Sequence, residues 1–203
     1  MRRAVGAGAV VAALAGLASC TQSSAAPQSA ASTAAGIPLH APAPTVVASG
    51  LHFPVNLTFD SHGGLWFTSS VLSAQNPTNG VWYIPPGGRP RHVVTGLPAG
   101  GLLWVGNSLY VASITPAGSG EITVFGGFNG SRFTSQRVRL SGLGVGSHII
   151  GSIALGPDGL LYIGTGAAGD HSGPPGTVLA FAPEGGTPVV KATGLRSAFG
   201  LAF

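Results

Sequence analysis

The chain has 203 residues, of which 44% are hydrophobic and only 7% charged, with 34 glycines and 16 prolines. So apolar a composition excludes a disordered chain, and Gly and Pro spaced between apolar runs suit the turns of an all-β protein. Nine basic residues against five acidic ones give +4, but two of the nine are Arg2 and Arg3, and Arg137 and Arg139 share one face of a strand, so no nucleic-acid partner is expected.

The N-terminus reads as a targeting segment. Arg2 and Arg3 precede an unbroken Ala/Val/Gly/Leu stretch from Ala4 to Leu17, shorter than the roughly 20 residues a bilayer span needs. It ends in Leu17-Ala18-Ser19-Cys20, which resembles the lipobox of bacterial lipoproteins. That resemblance makes residues 1–20 a signal peptide and Cys20 the acylated first residue of an exported, cell-envelope protein. The alternative is a plain secretory signal with an incidental cysteine. Residues 21–44 hold no charge and no aromatic side chain, and read as an Ala/Ser/Pro tether. The membrane is thus expected as a partner through the lipid anchor only. Cys20 is the single cysteine, so no disulfide is possible and folding, beginning near Thr45, rests on packing and strand pairing.

A repeat organises residues 45–203. Asn56–Phe59, Gly101–Trp104, Ser152–Leu155 and Gly200–Phe203 align as first strands, their last residues 45, 51 and 48 apart. Second strands follow at 65–67, 109–111 and 161–163. Third strands open on Gly80, Gly120 and Gly176. Fourth strands hold Val93-Val94, Val138–Leu140 and Val189-Val190, each running toward Gly-Leu. Four short strands per unit of this length predict a β-propeller, rather than a sandwich or irregular all-β domain. The blades are expected at about 51–97, 98–145 and 146–195, with the first strand of a fourth at 196–203. That is about half of a six-bladed ring, so a missing C-terminal half or a homodimer is expected to complete it.

The repeat also gathers the candidate site. Counting seven residues back from each anchor gives His52, Leu97, His148 and Arg196, which places the polar ones at one channel mouth. Asp170 and His171 lie in the loop between the second and third strands of the third unit, on the same face. Polar groups converging in an apolar, concave setting are a binding-site signature. His148 also reads as a loop histidine bonded to backbone, and Asp170 as a solvated loop residue. Gly164–Gly169 spells GxGxxG, but the following Asp-His-Ser-Gly-Pro-Pro-Gly cannot start a helix to hold a pyrophosphate. No zinc pattern or EF-hand spacing is present, so no metal ligands are assigned.

With those residues in place, the segment from Ser147 to Phe203 resembles the soluble quinoprotein glucose/sorbosone dehydrogenases. The likeness is carried by His148-x-x-Gly151, Gly156-Pro157-Asp158-Gly159, Leu161–Gly164 and Gly194–Phe203. It implies a six-bladed propeller using pyrroloquinoline quinone (PQQ) with Ca2+ to oxidise a sugar hydroxyl. It further implies His148 as catalytic base, with Asp170 orienting it, and Arg196 and Ser197 as cofactor contacts. Ser197 stands where the family has an asparagine. Residues 50–140 fit the family more loosely and are also NHL-like. The alternative expectation is therefore a non-catalytic propeller that binds a protein, peptide or glycan at the channel mouth. Gly64–Thr68 also suggests a lyase similar to the streptogramin-cleaving propellers.

Overall fold

The computed structural model describes residues 43–70, 76–144, 150–166 and 175–203. Cys20 and nearly all of the tether lie outside them.

Among the described residues, twelve strands form three four-stranded antiparallel sheets, each sequential in the chain. Blade 1 is β1 (Pro54–Phe59), β2 (Leu65–Ser69), β3 (Gly80–Ile84) and β4 (Arg91–Thr95). Blade 2 is β5 (Ala99–Val105), β6 (Ser108–Ile114), β7 (Gly120–Gly126) and β8 (Ser135–Leu143). Blade 3 is β9 (Ile153–Leu155), β10 (Leu161–Gly164), β11 (Gly176–Ala182) and β12 (Gly185–Leu195). The fold is a partial β-propeller. Gly200–Phe203, aligned with the first strands, forms no ladder. A first strand needs a second strand beside it, and the described residues offer this one none.

The second and third strands of the blades are near-continuous apolar runs because they are largely buried on both faces. On β6, Leu109 and Val111 point to blade 1 while Tyr110 and Ala112 point to blade 3. Strand β7 does the same, with Phe125 on the first side and Ile122 and Val124 on the second. Two cores result. One joins Trp66, Val81 and Tyr83 to Leu102, Leu109 and Phe125; the other joins Tyr110, Ile122 and Leu140 to Ile153, Leu161 and Phe181. Each fully buried side chain contributes about 1.5–3 kcal/mol, so packing alone can hold blades together without a disulfide.

The turns between first and second strands follow from their glycines. Gly63 donates to the Asp60 carbonyl at 3.1 Å and Gly159 to the Gly156 carbonyl at 3.0 Å. Both glycines adopt φ of 78°, a left-handed conformation that costs glycine least. These turns lie at the end of the blades opposite the loops that carry the candidate site.

Candidate functional site at the channel mouth

The site is built where chain passes from one blade to the next. Each passage begins with the same device, a Gly-Leu pair whose glycine is left-handed: Gly50, Gly96, Gly142 and Gly194 have φ of 69°, 71°, 69° and 86°. A side chain would strain this reversal, which explains glycine at all four. The residue after the pair is His52 in the first case and Arg196 in the fourth.

The hydrogen bonds confirm the register of the repeat. The Ser70 amide donates to the Phe53 carbonyl at 3.2 Å, and the Ile114 amide to the Pro98 carbonyl at 3.0 Å. Phe53 and Pro98 follow His52 and Leu97, so these last two are equivalent, as the seven-residue count requires. From the left-handed glycine to the anchor there are 9 residues for Gly50 to Phe59, 8 for Gly96 to Trp104 and 9 for Gly194 to Phe203, but 13 for Gly142 to Leu155. The passage into blade 3 is therefore four or five residues longer, and His148 lies within it. That residue lies outside the described residues, as do Asp170 and His171.

Arg196 and Ser197 are both exposed. Ser197 forms an isolated antiparallel bridge with Gly166, which begins the loop that carries Asp170. The base of that loop is tied by Thr165 and Thr177. Their hydroxyls are 2.9 Å apart, and each residue's amide bonds the other residue, at 3.0 and 2.8 Å. Sequence reasoning missed this clamp, because two threonines 12 residues apart carry no signal until the strands pair. The structure thus joins the Arg196 segment to the foot of the Asp170 loop. His52 is exposed beside Phe67, Trp82 and Pro90 of blade 1, its carbonyl accepting the Ser69 hydroxyl.

Below this rim lies a cavity of about 540 Å³ between β1 and residues 199–201. Leu51, Val55, Leu57, Phe67, Phe199 and Leu201 make its walls apolar. Its polar wall groups serve the backbone: Asn56 Oδ1 accepts the Leu57 amide at 2.8 Å and Ser152 Oγ the Leu201 amide at 2.9 Å.

The donor set at the rim fits an anionic, planar cofactor such as PQQ. Arg196 offers a permanently charged fork of N–H donors for carboxylates and Ser197 a hydroxyl. Among the described residues no group of three His, Cys, Asp or Glu side chains could hold a metal ion, so a Ca2+ site is not assembled from them.

No protein-family model and no curated protein matches the chain. Solved structures do. The PQQ-bound form of an aldose sugar dehydrogenase from Streptomyces coelicolor matches with a TM-score of 0.59 and 22% identity over 75% of this chain and 53% of its own. A gluconolactonase from Xanthomonas campestris matches with a TM-score of 0.53 and 22% identity over 72% of this chain and 48% of its own. The chain spans about half the length of these structures, and at such identity the likeness establishes the fold.

Proposed function

We propose that the chain is part of an exported, lipid-anchored propeller enzyme that oxidises a sugar hydroxyl with PQQ as cofactor. The observation that carries this reading is the bridge from Ser197 to Gly166, which sets the Arg196 segment against the loop bearing Asp170. The fold shared with a PQQ-bound aldose sugar dehydrogenase supports it.

When bound, PQQ supplies the acceptor for the hydride. Arg196 and Ser197 would hold it, the guanidinium against its carboxylates and the developing negative charge. His148 would take the proton of the substrate hydroxyl, while the hydride and its electron pair go to that acceptor and the substrate carbon becomes a carbonyl. A neutral imidazole suits this near pH 7, and Asp170 would orient it. Ca2+, where it acts, takes ligands beyond the described ones. The Leu57 face of blade 1 is covered by a further blade, from a C-terminal half or a second copy.

The test is an absorbance titration of PQQ with Ca2+, followed by dye-linked oxidation of aldoses. Saturable binding that is weakened but still measurable in Arg196→Ala, and turnover lost in His148→Ala with binding kept, is the expected result. No binding by a complete-ring protein would sink the reading. It would favour a non-catalytic propeller that binds a protein, peptide or glycan, which the apolar cavity wall beneath the rim also favours.

A further inference from the structure

Blades 1 and 3 receive the segment passing to their neighbour in different ways. At blade 1 the Thr68 hydroxyl donates to the Gly100 carbonyl at 3.1 Å and acts as a spacer between strand and segment. Thr68 lies three residues past Leu65; the residue three past Leu161 in blade 3 is Gly164. With no side chain there, the Ala198 carbonyl oxygen occupies the space a Cβ would fill. The same oxygen fills the Cβ space of Gly151. The segment is thus drawn onto the blade backbone between two glycines.

Ser152 fastens the other side of that segment. Its amide donates to the Phe199 carbonyl at 3.1 Å, and its hydroxyl accepts the Leu201 amide at 2.9 Å. Residues 200–203 have no strand ladder of their own, and Ser197, Phe199 and Gly200 are exposed. A segment of that kind gains little order from burial and must be fixed by specific bonds. Arg196 stands between the left-handed turn at Gly194 and the fastened residues 197–201. Its backbone direction follows from both.

We propose that Ser152, with Gly151 and Gly164, forms a saddle that positions Arg196 at the channel mouth, so that Ser152 is a positioning residue for binding an anionic cofactor. The inference rests on reading Arg196 as a cofactor contact. A group placed by a second layer of hydrogen bonds binds better because less of its freedom is lost on binding.

The experiment uses the whole protein with PQQ as probe. Ser152→Ala weakens PQQ binding about two- to tenfold, the worth of one neutral hydrogen bond, and Ser152→Thr restores it. On an Arg196→Ala background the Ser152→Ala change has no further effect on binding. Equal losses on both backgrounds overturn the proposal, because Ser152 then acts on the fold and not through Arg196. The second readout is the Nε–H resonance of Arg196, identified with Arg196→Lys. It moves in Ser152→Ala and not in Ser152→Thr; an unmoved resonance in both overturns the saddle. If the wild type binds no PQQ, the cofactor reading fails, and the resonance alone decides the saddle.

Discussion

Leu57 and Leu102 hold the same position in successive repeats, two residues before the anchors Phe59 and Trp104, yet Leu57 is 60% exposed and Leu102 1%. Ile153, the third equivalent, is 4% exposed. The difference is whether a preceding blade covers the position. At the Leu57 position, therefore, blade 1 presents an apolar side chain like those the two covered blades bury.

Truncation at these equivalent positions is expected to separate coverage from composition. Leu102→Ala removes a side chain from between two blades and costs about 2–5 kcal/mol. Leu57→Ala in residues 45–203 alone costs below about 0.5 kcal/mol, as for a surface site. In a complete ring Leu57→Ala costs as much as Leu102→Ala. Urea denaturation of both variants in both lengths checks this, and equal costs in the short chain would contradict it.

The turn of blade 1 is latched by its carboxylate. Asp60 Oδ2 accepts the Trp66 indole N–H at 2.8 Å, while Oδ1 accepts the amides of His62 and Gly64 at 2.9 and 2.8 Å. Partial burial pushes the carboxyl up, but the Trp66 bond, the two amides and the nearby His62 ring outweigh it and hold it below the usual range. The ionised form is therefore favoured by folding. Its contribution is present above the unfolded-state value near 3.8 and is lost as pH falls through the lower folded value. Asp60→Asn is expected to lower the thermal midpoint at pH 7. The gap between it and wild type should narrow progressively as pH falls below the unfolded-state value near 3.8; a gap that stays constant on acidification would falsify the latch.

Gly164→Ala places a methyl group where the Ala198 carbonyl oxygen sits. Backbone cannot yield as a side-chain tip can, so residues 197–201 must move. The expected cost is about 1–3 kcal/mol, with faster amide exchange at Ser152 and Leu201. Unchanged exchange at Leu201 would count against the close approach.

Replacing the candidate base should act on chemistry rather than binding. His148→Ala is expected to lower kcat by about 100-fold or more while leaving PQQ affinity within about twofold. Arg196→Lys keeps a charge but loses the planar fork, and is expected to weaken PQQ affinity with kcat little changed. A paired fall of both quantities in both variants would mean that the two residues do not have separate roles.

The repeat was legible in the chain because a blade strand is apolar on both faces and its turns require glycine. Leu161-Tyr162-Ile163 and Gly156–Gly159 declare a strand and a turn without help from distant residues. The equivalence of His52 and Arg196 was legible for the same reason, since seven residues back from an anchor is a local count. The Thr165–Thr177 clamp, the Ser152 fastening and the Ala198–Gly164 approach could not be read that way. Each joins residues 12 to 49 apart through hydroxyls, carbonyls and missing side chains, which have no periodicity. Gly200–Phe203 shows the limit most clearly. Its residues are as apolar as any first strand, but strand structure is a property of pairs, and the described chain gives this one no second strand. Local sequence determined which residues could form blades; only tertiary contact decided where Arg196 and Ser197 are held.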